Sequence, residues 1–240
     1  MSPQYIYCIL DSGQELQAAG QGLAGRNLSS ISYRDVSALV SDVSTVDYNE
    51  ENILRHEEVI ERMMGFQTVL PMRFGTVLES EEKVRAMLAQ YYQSFLRNFA
   101  RLRGRVEMGL KIIWPVEVIK REIDYSVHNP DNRDVTPEQA AGAAYLKEKL
   151  KGYRRRKALE EKADRFVQSI NSGLDTCFEE YRIRKLVTEK MVLNGAYLVM
   201  KDRVEEFGIK IRDFRSRYPE SKFLLSGPWP PYNFIELKEG

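Results

Sequence analysis

The sequence predicts a two-domain α+β fold, and three features carry that expectation. Early in the chain, β-branched and aromatic runs are followed by helical stretches, which makes a small mixed α+β unit of residues 1–104. Beyond Gly104 the order becomes β-α-β-β-α-β, the ferredoxin-like order, over residues 105–240 with a Pro- and aromatic-rich tail at 228–240. Composition agrees, because 43% hydrophobic and 30% charged residues describe a globular chain that buries a core.

In the first part, residues 5–10 read as a strand that ends at the turn Asp11-Ser12-Gly13. Residues 28–33 and 36–43 read as two more, joined tightly around Arg34-Asp35. Between the first strand and the second lies Gly20-x-Gly22-x-x-Gly25, the spacing of a dinucleotide fingerprint. That motif needs a strand just before it and a helix opening at its last glycine. Here the strand ends well upstream and another strand follows, so nucleotide binding is not expected. Residues 49–64 are helical, with Ile53, Ile60 and Met64 on one face and glutamates in the first turns, where the helix dipole favours them. Residues 68–74 form a short apolar segment ended by Gly75. Ser80 caps a further helix, whose Val84, Leu88, Tyr91, Phe95, Phe99 and Leu102 keep the three-to-four spacing of one buried stripe.

The second part opens on an alternating strand at 107–114, with Met108, Leu110, Ile112 and Trp114 on one side. Residues 128–137 are polar and turn-rich, a loop. Thr136-Pro137-Glu138-Gln139 combines a cap, a proline at the first helical position and a glutamine three after the cap, so it starts a long helix reaching about Asn171. Residues 181–187 and 191–200 read as strands, the second apolar on both faces. A helix from Asp202 carries Val204, Phe207, Ile211 and Phe214, and 222–226 is a last short strand.

Several functions are excluded on charge and inventory. Lys and Arg number 36 against 35 for Asp and Glu, and a net charge of +1 offers no field for nucleic acid or anionic lipid. Cys8 and Cys177 are too few for a disulfide framework, so a reducing cytoplasm is expected. No apolar run is long enough to span a membrane, and no secretory signal is expected at Met1-Ser2-Pro3-Gln4-Tyr5. The histidines, His56 and His128, have no second ligand at metal spacing, so neither metal nor cofactor is expected. His56 lies in a Glu-rich helix, where a solvated imidazole paired with a carboxylate is expected. No Gly-x-Ser-x-Gly elbow occurs, and the pairs Glu50-Glu51, Glu57-Glu58, Glu160-Glu161 and Glu205-Glu206 diverge by about 100° on their helices. An enzyme is not expected. The run Lys151-Gly152-Tyr153-Arg154-Arg155-Arg156-Lys157 reads either as a phosphate-binding stripe or as a salt-bridged helix face. The pairs Arg156–Glu160 and Lys157–Glu161 favour the face.

Two segments carry more information. In Leu70-Pro71-Met72-Arg73-Phe74-Gly75-Thr76-Val77 an arginine interrupts an apolar edge strand, and pairing of Arg73 with a carboxylate is the plain explanation. In Ser226-Gly227-Pro228-Trp229-Pro230-Pro231-Tyr232-Asn233-Phe234, prolines stiffen a backbone that carries three large aromatic rings. Such a stretch either folds back as a clamp or offers itself to a partner. Exposed aromatic surface of that size invites aggregation, which favours the clamp.

Together with residues 5–9 and the strand at 107–114, these two segments resemble the gas vesicle protein F/L family along essentially the whole chain. The family's motif positions match at Arg73, Phe74, Gly75, Gly227, Pro228, Trp229 and Tyr232, the candidate protein-contact residues. The resemblance implies a non-enzymatic accessory protein of gas vesicles, with a ferredoxin-like second domain. It also implies binding to the hydrophobic major shell protein or other accessory proteins during nucleation and growth. Its expected place is cytoplasmic, associated with the vesicle, with the gas-facing side of the wall as one of two candidate faces. The alternative expectation is a nucleic-acid- or nucleotide-binding regulator built on the ferredoxin-like domain.

Overall fold

The computed structural model describes residues 2–11, 20–127, 140–184, 186, 188 and 190–238. His128 and the helix start expected at Thr136-Pro137-Glu138-Gln139 lie outside those residues. Among the described residues the architecture is α+β, with one sheet of five strands and one of four. By internal contacts the chain forms two compact units: Met1–Met108 with Tyr197–Val204 and Ser226–Gly240, and Gly109–Ala196 with Glu205–Leu225.

The first unit is built around β1 (Gln4–Leu10), every residue of which is buried. β1 pairs antiparallel with β3 (Val36–Asp42), which pairs antiparallel with β2 (Ser29–Tyr33). On its other side β1 pairs with two short strands, β4 (Val69–Pro71) and β5 (Val77–Leu78). A bulge at Tyr7 shifts the register between Ile6 and Cys8. It puts Tyr5, Tyr7, Cys8 and Leu10 into one apolar cluster with Val59, Ile60 and Met63 of α1 (Glu50–Met64). Two tyrosine hydroxyls inside such a cluster need partners. Tyr7 Oη bonds to Ser41 Oγ at 2.9 Å and accepts the Leu23 N–H at 2.7 Å. Gly22 makes this possible, since a Cβ there would stand 2.1 Å from Tyr7 Oη. The fingerprint-like glycines thus belong to a loop closed over a buried hydroxyl.

Asn49 caps α1, its side chain accepting from the Asn52 N–H at 2.8 Å. The buried face of the helix is His56, Val59, Ile60 and Met63. It is turned from the expected stripe, and Ile53 is exposed. The single helix expected after Ser80 is two: α2 (Glu81–Gln90) and α3 (Tyr92–Leu102), broken at Tyr91, where φ is −99° and ψ 10°. The apolar stripe survives the break, because Val84, Leu88, Phe95, Phe99 and Leu102 are all buried. Beyond it Tyr92 is tied down: its ring lies under the Arg34 guanidinium and its hydroxyl bonds Asp35.

The remaining strands are β6 (Arg105–Ile113), β7 (Glu180–Ile183), β8 (Met191–Met200) and β9 (Lys222–Trp229), in the sheet order β7-β8-β6-β9. As expected, Met108, Leu110, Ile112 and Trp114 are buried together. β7 stops at Ile183, short of the expected strand, whose residues 185 and 187 lie outside those described. Between β6 and β7 come α4 (Val116–Val127), which the sequence reading did not place, and the long α5 (Ala140–Leu174). α6 (Val204–Arg217) follows β8 and buries Phe207, Ile211 and Phe214. In the second unit, Gly173 of α5 leaves room for Phe214, whose ring lies 2.4 Å from where a Cβ would stand. β9 runs past Ser226, where the last strand was expected to end, through Trp229.

Candidate functional site

The Arg73 segment is a bulge in a sheet edge. β4 pairs with one end of β1, Leu10 with Val69 and Cys8 with Pro71, and β5 pairs with the other, Tyr5 with Val77. Pro71 sits in an edge strand, where a missing N–H is tolerated. At the shoulders of the bulge the Met72 N–H donates to Tyr7 O at 2.8 Å and the Ile6 N–H to Thr76 O at 2.9 Å. The Thr76 N–H and hydroxyl both donate to Arg73 O, at 3.2 and 2.7 Å, which closes a tight turn. Gly75 takes φ +84° in it, a conformation side chains rarely adopt. Arg73 therefore lies outside the strand, exposed, and among the described residues no carboxylate pairs with it. The expected ion pair is absent because the turn carries the side chain away from the sheet. Phe74 goes the other way. Its ring meets Tyr48, His56 and Tyr5 edge-on, at centroid distances of 5.3, 5.6 and 6.1 Å.

Beneath the bulge, His56 corrects the expectation of a solvated imidazole: it is fully buried. Its Nε2 lies 3.1 Å from Met72 O and its Nδ1 2.9 Å from Tyr5 Oη. A carbonyl only accepts, so Nε2 carries the proton and Nδ1 accepts the tyrosine O–H. Tyr5 Oη in turn accepts the Gly75 N–H at 3.2 Å. Burial pulls the His56 pKa down to about 4, against a smaller upward pull from the Met72 carbonyl, so the ring is neutral near pH 7. Burial likewise pushes the Tyr5 hydroxyl and the Cys8 thiol well above their ordinary ranges.

The second motif arrives from β9. Gly227 has φ +107°, and a Cβ there would stand 2.7 Å from the Glu107 carbonyl oxygen; its peptide with Pro228 is cis. Pro228 is exposed and Trp229 is 40% exposed, whereas Pro230 and Pro231 are buried. A 3-10 turn, Tyr232–Phe234, then closes onto the first unit. Tyr232 packs on the same apolar cluster as Phe74, and its hydroxyl donates between the two Glu57 carboxylate oxygens at 3.3 Å. Burial raises the Glu57 pKa, opposed by that hydrogen bond, and raises the Tyr232 pKa. Phe234 is fully buried, and the Arg101 guanidinium donates to its carbonyl. Asn98 brackets Glu236, with Oδ1 accepting its N–H at 3.0 Å and Nδ2 donating to its carbonyl at 2.8 Å. The clamp expectation holds for residues 230–234, while residues 226–229 stay exposed.

The two motifs thus meet across neighbouring residues of one helix, with Phe74 on His56 and Tyr232 on Glu57. Arg73 and Trp229 are left at the surface, while Phe74, Gly75 and Tyr232 are partly covered. Sequence reasoning missed Tyr5, His56 and Glu57. The signal for His56 was its position three and four residues before Val59 and Ile60, which puts it on the apolar stripe despite its acidic neighbours. Of the basic run of α5, Arg155 pairs with a partner other than those expected, Asp124 of α4 at 3.1 Å; beyond the run, Lys162 pairs with Glu122 of α4 at 2.5 Å. Among the described residues, Arg156–Glu160 and Lys157–Glu161 are not formed.

The family model described as gas vesicle synthesis protein GvpL/GvpF matches residues 3–236, both motifs included. The chain belongs to that family. It is an accessory, structural protein of gas vesicles and associates with their assembly machinery. Gas vesicle protein F1 of Halobacterium salinarum is 25% identical over 98% of this chain and 94% of its own length. Gas vesicle protein L of a Streptomyces species is 26% identical over the same shares. The crystal structure of GvpF from an Anabaena species aligns with a TM-score of 0.81 at 23% identity, covering 100% of this chain and 98% of that one. GvpF from Microcystis aeruginosa aligns with a TM-score of 0.77 at 20% identity, over 99% and 100%. Likeness at these identities establishes the fold. Among the described residues no helix is long and apolar enough to cross a membrane.

Proposed function

We propose that the chain works without catalysis, by binding the major shell protein or other accessory subunits while a vesicle nucleates and grows. A gas-facing wall is hydrophobic, so its subunits need escorting until their apolar faces are buried. One observation carries this reading. The two family motifs, 70–77 and 226–234, close on a single patch of the first unit, with Phe74 and Tyr232 turned inward and Arg73 and Trp229 left for a partner. The place of action is the cytoplasm, on the wall of the vesicle. The second half takes the ferredoxin-like topology. The strand order β7-β8-β6-β9, with α5 before β7 and α6 before β9, supports it.

Flotation of a lysate tests the reading. The protein is expected in the buoyant fraction by immunodetection, before and after a urea wash. Arg73→Ala and Trp229→Ala should lower vesicle yield while the protein stays folded. Absence from the buoyant fraction, or unchanged yield in both folded variants, overturns it.

A further inference from the structure

We propose that Tyr5 and His56 are positioning residues that lock the 72–75 bulge, covered at Phe74 and Gly75 by the exposed Tyr48 ring, so that it presents Arg73 to a carboxylate on an apolar segment of a partner polypeptide. This deepens, and rests on, the reading of Arg73 as a contact residue.

The geometry is a relay that grips the bulge at both ends. The Gly75 N–H donates to Tyr5 Oη, Tyr5 O–H donates to His56 Nδ1, and His56 Nε2–H donates to Met72 O. Each group takes the only role open to it, so the chain of bonds has one direction and no slack. Residues 73 and 74 hang between its ends, and a shift of either strains one of these hydrogen bonds. Phe74 fills the space over the relay, and Tyr48 covers Gly75 so closely that a Cβ there would stand 2.3 Å from its hydroxyl. A helix–sheet interface has no packing need for an imidazole, and an apolar side chain would fill the place at no polar cost.

Complementarity names the occupant. Arg73 is exposed with no carboxylate partner among the described residues, and Tyr48, 75% exposed, lies against the two residues that follow it, Phe74 and Gly75. A fixed backbone at Arg73 removes part of the entropic cost of pairing its guanidinium with a carboxylate. The flanking ring asks for apolar neighbours on the partner.

The test uses the full chain, isotope-labelled so that added copies are told from resident ones, and intact gas vesicles, with co-flotation of the label as the binding readout and hydrogen exchange of the Gly75 amide as the loop readout. Histidine ¹⁵N shifts should show a protonated Nε2 and a bare Nδ1. Tyr5→Phe should speed Gly75 exchange about 3- to 10-fold, the worth of one ordinary hydrogen bond, and should reduce co-flotation. His56→Gln keeps an amide donor for Met72 O and should lie between wild type and His56→Leu in both readouts. Arg73→Glu should abolish co-flotation without changing exchange, Arg73→Lys should keep most of it, and added salt should weaken wild-type co-flotation. Unchanged Gly75 exchange in both Tyr5→Phe and His56→Leu overturns the relay. Faster exchange with undiminished co-flotation, while Arg73→Glu loses it, overturns the presenting role. Co-flotation that ignores salt overturns the carboxylate partner. Full co-flotation of Arg73→Glu removes Arg73 as a contact, and this proposal with it.

Discussion

Glu107 and Asn233 are 126 positions apart in the chain, yet one side of Asn233 supplies two donors to the same buried carboxylate. The Asn233 backbone N–H reaches Glu107 Oε2 at 2.9 Å, and its side-chain Nδ2 donates to Oε1. Glu107 is 5% exposed, on the face of β6 opposite Met108 and Leu110. Hydrogen bonds to a charged group are stronger than neutral ones and costly to lose.

Asn233→Ala should therefore cost about 2 kcal/mol, the worth of one hydrogen bond to a charge. Asn233→Asp should cost more, because it sets a second carboxylate against the first. Urea unfolding of the two variants beside wild type checks the order.

Gly227→Ala should be among the most damaging single-methyl changes in this chain. Its φ of +107° alone implies about 1–3 kcal/mol of strain for an alanine. The new Cβ would also press on the Glu107 carbonyl, which belongs to β6 and cannot swing aside. A lowered urea midpoint with unchanged slope is the expected signature.

His56 makes stability depend on pH in a known direction. Its folded-state pKa, about 4, lies below the ordinary 6.5. Between those values the unfolded chain takes up a proton that the native one refuses. Stability from the neutral ring is thus complete above pH 6.5 and lost as pH falls through about 4, by roughly 3 kcal/mol in all. Glu57 works oppositely: burial raises its pKa, so its contribution is present at low pH and lost as pH rises through its folded value. Comparing wild type with His56→Gln isolates the histidine. The difference in unfolding free energy between pH 7 and pH 4 should be smaller in the variant.

Asn98→Ala should loosen the clamp while leaving the rest of the unit intact. It removes two bonds to Glu236 and one to Ser94 O. Limited proteolysis should cut near residues 235–238 faster in the variant, with a stability loss of about 1–2 kcal/mol.

Much of this fold was legible from periodicity. β1, β3, β8 and the stripe from Val84 to Leu102 follow spacing and β-branched content. The clamp followed from prolines beside aromatics. The break at Tyr91 was not legible, since no proline or glycine marks it and the stripe continues across it. α4 was legible but unread: Val116, Ile119 and Ile123 are buried at helical spacing just after Pro115. At the site, the motif residues could be named, but not that Phe74 faces in and Arg73 out. That depends on a bulge held by Tyr5 and His56, and long-range hydrogen bonds leave no periodic trace.

The first unit is assembled from stretches made at different times. Residues 4–102 supply its sheet and three helices, but Tyr232, Asn233 and Phe234 close it, and they leave the ribosome only after the whole of α5 and α6. Until then Glu107 lacks its Asn233 donors and the seat of Phe234 stands open. The patch where the two motifs meet is therefore assembled late, once both helices that separate its parts in sequence have been made.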